Sequence, residues 1–438
     1  MDLYFIKAVT NKSSGILIKY FRAVPYSKET YRYSRLMHED KKGSYFNNSQ
    51  KPKRFETVLK TVLSQAAGKK IAILGCGSMG AVLCCAVLAC GRQVECFIGE
   101  NAADIFCGRK VCCPSWLKHV NIDDYFILNS SSIVGGNNPV LESYGLIEGC
   151  NYSNLEHYFK SDPCDCNDPL LGYSRRKDGD LDGFETFGEK TGESLMIVAL
   201  GGSTTDPSYS NIKSWPEILH SLLLEAGMPN IVYNGGLVGY TSTQEREKFL
   251  RDVIAIRPQY VFSFSGINDV GWIRGDCHHP YYSQHVLDRI RKKYSHIDYT
   301  IGQPEEIADY SIWYRNQKIM QSVSQQFGIS FHSLLQPCIF SRGYQKSEFE
   351  SKWLSILTSE YLEENCTIKS IYTSWNCFCD RVMLLGANDA FIDFRNVFAA
   401  ESGIYIDGIH CEESGNYLIA KQLAGIIADM EGEKHHRA

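Results

Sequence analysis

Leu195-Met196-Ile197-Val198-Ala199-Leu200-Gly201-Gly202-Ser203-Thr204-Thr205 is an unbroken apolar run that stops at two glycines and a row of hydroxyls. Six consecutive apolar residues bounded by glycine suit a strand buried on both faces, as inside a parallel sheet. A serine on the tight turn that follows would stand exposed at the rim of that sheet. The turn alone has two readings, a nucleophile or a cradle for phosphate. The rest of the chain bears on the choice.

Three further blocks each follow an apolar run. Ile231-Val232-Tyr233 leads into Asn234-Gly235-Gly236-Leu237-Val238-Gly239-Tyr240-Thr241-Ser242. Gly239 would bring a bare backbone N–H close to a ligand where a Cβ would obstruct it. Arg257-Pro258-Gln259-Tyr260-Val261-Phe262-Ser263-Phe264 reads as a strand entered through proline and ends in Ser265-Gly266-Ile267-Asn268-Asp269. Asn268 then offers an amide at a strand's carboxyl end. With the N–H groups of Ser203 and Gly239 it makes three donors for the oxyanion of a tetrahedral intermediate. Last comes Asp407-Gly408-Ile409-His410, an acid and an imidazole three residues apart before a helix. His410 has the chemistry to take and return the Ser203 proton, and Asp407 to orient it. Each block also has a plain structural reading: glycines as turn residues, Asn-Asp as a helix cap, Asp407 and His410 as caps and packing.

The order Ser203, Gly239, Asn268, then Asp407 with His410, resembles the SGNH (GDSL-type) hydrolase family over about residues 191–430. Ser214-Trp215-Pro216-Glu217-Ile218-Leu219 is similar to the helix after that family's nucleophile, Thr243-Gln244-Glu245 opens the next, and Ser414-Gly415-Asn416-Tyr417 begins the closing one. One departure is clear: Gly202 stands where the family's name-giving motif has Asp. The resemblance implies an α/β fold, a flavodoxin-like three-layer α/β/α domain over 191–432. It also implies a serine esterase acting through acyl-Ser203, with Asp407 and His410 completing the triad. An O-acyltransferase with the same acyl-serine, or a non-catalytic binding or scaffold protein on this fold, are the alternatives. No metal is expected, and the ester chemistry needs no cofactor.

Upstream, Lys69-Lys70-Ile71-Ala72-Ile73-Leu74-Gly75-Cys76-Gly77-Ser78-Met79-Gly80 places G-x-G-x-x-G between a short strand and an apolar helix over 81–89. A second strand over 93–98 ends at Glu100, where a dinucleotide fold has its ribose-binding acid. Gly75, Gly77, Gly80 and Glu100 are thus candidates to bind a nucleotide or nucleotide-sugar, with pyrophosphate at the helix N-terminus. A packing role for the same glycines, and a dinucleotide used in redox chemistry, stand beside that reading. The segment 66–150 resembles the small Rossmann-like domain in front of bacterial sugar acyltransferases, and from that analogy alone comes the expectation of an acetylated carbohydrate or related small ester as substrate.

Residues 1–65 are polar, rich in Tyr and Lys, and carry no legible chemistry. Residues 151–190 read as a linker, with Asp168-Pro169-Leu170-Leu171-Gly172-Tyr173 similar to the lead-in before the first strand of some bacterial SGNH proteins. Two stretches, about 276–310 and 338–388, exceed what the sheet needs and read as insertions. They hold His278, His279, Tyr281, Tyr282, Trp353 and Trp375, and insertions on the carboxyl side of such a sheet form lids and substrate walls. His278-His279 lacks the acid or Cys spacing of a metal site.

At 438 residues the chain is long enough for two domains with their own cores. Its 45 basic and 50 acidic residues nearly balance, which argues against a nucleic-acid partner. No apolar stretch approaches the roughly 18 residues that span a bilayer, and 1–19 lacks a signal-peptide pattern. The 17 cysteines are odd in number and show no zinc-finger spacing, so free thiols in a reducing, cytoplasmic setting are expected. Oligomeric state is not written in the sequence.

Overall fold

The computed structural model describes residues 55–99, 104–130, 138–155, 183–206, 212–271, 311–360, 362–384 and 391–437, with 9–10, 16–17, 168, 170–171 and 174. The chain divides into two units, residues 1–51 with 423–438, and residues 52–422. In the first, β1 (Val9–Thr10) pairs antiparallel with β2 (Ile16–Leu17). The larger unit is mixed α/β and holds two six-stranded, mostly parallel sheets.

The first sheet follows α1 (Phe55–Gln65) and contains β3 (Lys70–Leu74), β4 (Val94–Ile98), β5 (Ile105–Phe106), β6 (Arg109–Cys112), β7 (Tyr125–Asn129) and β8 (Tyr152–Ser153). Its order is β5-β6-β4-β3-β7-β8, and only β5 is antiparallel to its neighbour. Counting its parallel strands in chain order gives 3-2-1-4-5, which reverses direction beside β3. Residue alternation fixes both faces. Ile71, Ile73, Phe97, Phe126 and Leu128 pack on α1 and on α2 (Ser78–Ala89), while Ala72, Leu74, Cys96, Ile98 and Ile127 pack on Leu117, on Leu141 of α3 (Asn138–Ser143) and on Leu146.

The second sheet contains β9 (Glu185–Phe187), β10 (Leu195–Gly201), β11 (Asn230–Asn234), β12 (Tyr260–Ser265), β13 (Ser330–Leu335) and β14 (Phe391–Asp393). Its order is β14-β13-β12-β10-β11-β9, parallel except for β9 at the edge. The parallel strands therefore run 2-1-3-4-5, the other common doubly wound order, with its switch point between β10 and β12. In such sheets ligands bind outside the carboxyl ends of the strands at that point.

The helices of this sheet start on legible signals. In α4 (Trp215–Glu225), Ser214 caps the N-terminus by accepting from the Glu217 N–H at 3.4 Å, and Pro216 sits in the first turn. In α5 (Ser242–Lys248), Thr241 and Gln244 form a reciprocal capping box. The same helix runs on through a π-helical turn at Phe249–Val253 and ends at Arg257, left-handed at φ 53°, before Pro258. Phe249, Val253 and Met320 of α7 (Ser311–Gln326) cover one face of the sheet, over Val198, Leu200, Ile231, Val261 and Phe331. The short α6 (Ile267–Gly271) follows β12 directly.

The stretch expected as insertion over 338–388 forms two helices, α8 (Glu348–Glu360) and α9 (Leu362–Leu384). The other, 276–310, lies outside the described residues, as do His278, His279, Tyr281 and Tyr282. The closing helix α10 runs Glu413–Arg437. The described cysteines are all free thiols and most are buried. Among the described residues no helix is long and apolar enough to cross a membrane.

Candidate active site

The turn after β10 is built by hydrogen bonds that leave Ser203 at its apex. The carbonyl of Gly202 accepts from the N–H groups of Thr205 and Asp206 at 3.0 and 3.1 Å, which folds 202–206 into a single helical turn. Buried Thr205 anchors it: its carbonyl accepts from the Asn234 amide at 2.8 Å, and its hydroxyl from the Trp215 indole at 3.3 Å. A Cβ at Gly201 would lie 2.3 Å from the Thr205 hydroxyl and 2.7 Å from the Phe264 carbonyl, so glycine is required there by packing. Asp206 is buried, and its carboxylate accepts from the Val238 N–H at 2.9 Å, tying the turn to the Gly239 loop.

Across the rim, residues 404–412 form a tight hairpin. The Ile406 N–H donates to the His410 carbonyl at 2.9 Å and the Glu412 N–H to the Ile404 carbonyl at 2.8 Å. At its tip Asp407 folds back on itself. One carboxylate oxygen accepts from the N–H groups of Ile409 and His410 at 2.7 and 2.8 Å. The other lies 2.6 Å from His410 Nδ1. His410 Nε2 lies 2.7 Å from the Ser203 hydroxyl. Ser203, His410 and Asp407, 207 and 3 residues apart in sequence, thus stand in one hydrogen-bonded line. Burial alone would raise the Asp407 carboxyl, but His410 and the two amides overcome it and hold it below the usual carboxylate range. An ionised Asp407 fixes the proton of His410 on Nδ1 and leaves Nε2 to receive the proton of Ser203.

Gly239 adopts φ +74°, a conformation that side chains rarely take. Neither its N–H nor that of Ser203 has a hydrogen-bond partner among the described residues. Asn268, on the first turn of α6, donates from Nδ2 to the Tyr240 carbonyl at 2.9 Å. A Cβ at Gly202 would lie 2.5 Å from that amide nitrogen and 3.2 Å from the Tyr240 carbonyl. The glycine at 202 thus gives Asn268 and the 239–240 loop room to abut the 202–206 turn, and an aspartate there would collide with them.

Residues outside the motif blocks complete the support. Gly266 (φ +128°) and Gly408 carry the Asn268 and His410 loops, and a Cβ on either would fall within 2.4 Å of a ring on α9, Trp375 and Tyr372 respectively. The Trp375 indole donates to the Gln336 carbonyl at 2.9 Å, and the Gln336 amide donates to the Thr204 hydroxyl at 3.2 Å. Behind Asn268 lies a buried polar network. Ser242 donates to Asp269 and Ser263 to Glu245, both at 2.5 Å, and Asn316 and Gln317 of α7 donate to those serines. Desolvation pushes Asp269 up to about 6 and Glu245 up to about 8; the serine bonds oppose this, and Asp269 adds to the Glu245 shift.

At the first sheet the three motif glycines have different reasons to be glycine. Gly75 sits at φ +107°, where only glycine is comfortable. A Cβ on Gly80 would lie 2.2 Å from the Gly75 carbonyl, so the third glycine lets α2 close on the turn. Gly77, the N-cap of α2, has ordinary φ and open space around its missing Cβ. Glu100 lies outside the described residues. Among the described residues no group of three or more His, Cys, Asp or Glu side chains is placed to hold a metal.

No protein-family model matches the chain, and no curated protein matches it. Among solved structures it is similar to an acetyl xylan esterase, AlAXEase, at 16% identity over 53% of this chain and 100% of that one, with a TM-score of 0.31. It is also similar to Axe2, an acetylxylan esterase from Geobacillus stearothermophilus, at 15% identity over 54% and 94% of the two chains, with a TM-score of 0.32. An alpha/beta hydrolase enzyme from the metagenome of Lake Arreo, Spain, matches at 15% identity over 53% and 94%, again at 0.32.

Proposed function

We propose that the chain is a carboxylic-ester hydrolase of SGNH type, working through an acyl-Ser203 intermediate. The observation that carries this reading is the line from Ser203 through His410 to Asp407, with spacings of 2.7 and 2.6 Å, at the switch point of a 2-1-3-4-5 sheet. In the first half-reaction Ser203 Oγ bonds to the acyl carbon while its proton passes to His410 Nε2. Negative charge moves onto the former carbonyl oxygen, where the N–H groups of Ser203 and Gly239 and the Asn268 amide receive it. Collapse expels the alcohol oxygen, which takes the proton from His410. Water then attacks the acyl carbon with His410 again as base, and the acid leaves as Ser203 regains its proton. The substrate class proposed is a small acyl ester, an acetylated carbohydrate hydroxyl. That choice rests on the sequence resemblance of the N-terminal lobe.

For 66–150 we propose a Rossmann-like domain binding a nucleotide or nucleotide-sugar at Gly75, Gly77 and Gly80. Its 3-2-1-4-5 order supports this, as does the contrast among the glycines. Gly75 and Gly80 are explained by the fold itself, whereas Gly77 has no internal neighbour, the pattern expected where a phosphate approaches bare backbone. The test of the esterase reading is turnover of p-nitrophenyl acetate and of acetylated sugars, with sugar acceptors added to detect acyl transfer. A purified wild type with no acyl-ester turnover and no transfer would refute it.

A further inference from the structure

The base of the 404–412 hairpin is held by two buried side chains that no motif block contains. Glu350 lies on the first turn of α8 and is buried. Its carboxylate accepts four hydrogen bonds: from the Tyr344 hydroxyl at 2.6 Å, the Ser347 N–H at 2.7 Å, and the Gly403 and Tyr405 N–H groups, both at 3.0 Å. The Tyr344 hydroxyl in turn accepts from the Ile404 N–H at 3.0 Å. Three consecutive amides, those of 403, 404 and 405, therefore end on this pair. Two residues further on stands Asp407.

The Ser347 hydroxyl also accepts from the Glu350 N–H at 3.1 Å, so Ser347 and Glu350 form a capping box for α8. That local role accounts for one of the four acceptor contacts of the carboxylate and leaves three, two of which reach 53 and 55 residues along the chain. The opposite side of the arrangement is closed by the N-terminal lobe. α8 packs on α2, the helix that leaves the glycine turn. Phe349 of α8 and Ile406 of the hairpin both pack against the core formed by α1, α2 and the first sheet. The Phe55 N–H at the start of α1 donates to Glu412 Oε1 at 2.8 Å in a buried bond.

We propose that Glu350, with Tyr344, is the positioning residue of the acid–base pair. It holds the hairpin in the register that brings His410 to Ser203, and the N-terminal lobe clamps the same hairpin through Ile406, Glu412 and α8. This rests on the reading of Ser203 and His410 as catalytic. Glu350 touches no reacting atom. Glu350→Gln keeps size and one acceptor oxygen but turns an N–H₂ toward two of the four donors, so the hairpin base loosens while α8 survives.

The experiment compares wild type, Glu350→Gln, Tyr344→Phe and, as a control, Val253→Ala, a core cavity far from the hairpin. Amide hydrogen exchange over 403–412 reads positioning without reference to any substrate, and p-nitrophenyl acetate kinetics read its consequence. Glu350→Gln is expected to speed exchange in 403–412 by about tenfold or more. It should also lower kcat by about 10–100-fold with KM within about twofold, since a shift on the order of 1 Å has that effect. Tyr344→Phe should do the same to a smaller extent, and Val253→Ala should lower Tm while leaving kcat alone. Unchanged exchange in 403–412 in a folded Glu350→Gln or Tyr344→Phe protein would overturn the proposal, as would a loss confined to KM. Failure of the wild type to turn over any ester would instead strike the esterase reading, and the exchange data would still decide the positioning role.

Discussion

Replacing Asn268 with alanine separates a transition-state role from a structural one, because the two predict different sizes of effect in different observables. The Asn268 amide spends one N–H on the Tyr240 carbonyl at 2.9 Å. The two hydrogens of an amide nitrogen diverge by about 120°, as sp² geometry requires, so the second is left for a developing oxyanion beside the Gly202 backbone. Losing the first bond costs about 0.5–1.5 kcal/mol of folding stability, the net worth of one neutral hydrogen bond. In a unit of this size that is a fall in Tm of about 3 °C or less. Losing the second costs about 2.7–4 kcal/mol of transition-state stabilisation, or roughly 10²–10³ in kcat with KM nearly constant. Asn268→Asp, of the same shape, removes both donors and sets a carboxylate where negative charge must develop, so it should be at least as slow as alanine. Steady-state kinetics with p-nitrophenyl acetate, beside thermal unfolding of the same samples, make the test. A variant retaining kcat within about threefold while losing Tm would refute the oxyanion assignment and leave Asn268 a brace for the 239–240 loop.

Ser203→Ala and His410→Ala should each remove nearly all ester turnover, and the double variant should lose little more than either, because the pair acts as a unit; additive losses in kcat/KM would contradict this. Gly77→Val should fold normally, since nothing crowds its Cβ, yet lose the rise in Tm that a UDP-sugar gives the wild type, while Gly80→Ala should lower Tm without ligand because its Cβ meets the Gly75 carbonyl at 2.2 Å. No nucleotide shift in the wild type at millimolar ligand would leave the glycine turn a packing device. Burial raises the folded-state pKa of Glu245 to about 8 and of Asp269 to about 6, above their unfolded values, so the native state binds more protons than the unfolded chain in that range. Stability should therefore fall as pH rises from about 4.5 toward 8, by up to about 1.4 kcal/mol per pH unit per group. Glu245→Gln should flatten that decline, and an equal slope in the variant, measured by urea unfolding across pH, would assign it elsewhere. Asp407, held low, acts in the opposite sense, giving stability that is lost on acidification below the ordinary carboxylate range.

Much of the site is legible because three of its four blocks sit where a strand ends, those of Ser203, Gly239 and Asn268. The glycine-bounded run 195–200 suits a doubly buried strand, and a parallel sheet delivers every such strand's carboxyl end to one rim. Thr241 with Gln244 and Ser214 with Pro216 announced their helices in the sequence. The glycines of 75–80 were equally legible as a pattern, but only geometry separates their reasons: Gly75 by φ, Gly80 by packing, Gly77 by neither. What escaped the sequence is what depends on long-range contact. Ser347-Glu348-Phe349-Glu350 is readable as a capping box, yet nothing local says that the same carboxylate reaches Gly403 and Tyr405. Trp375 stood out as an insertion aromatic, but its place against Gly266 follows from the fold of α9 over the rim. Nothing local says that Glu245, Ser263 and Gln317 meet, and tertiary burial joins them into a network.

The proposed reaction turns on Ser203 carrying the acyl group. Brief reaction with p-nitrophenyl acetate, acid quench and peptide mass spectrometry test it most directly. One acetyl group is expected on the peptide containing Ser203, formed at the rate of the initial burst, and absent in Ser203→Ala and His410→Ala. Undiminished ester turnover by Ser203→Ala, with no acetyl on that peptide in the wild type, would contradict it.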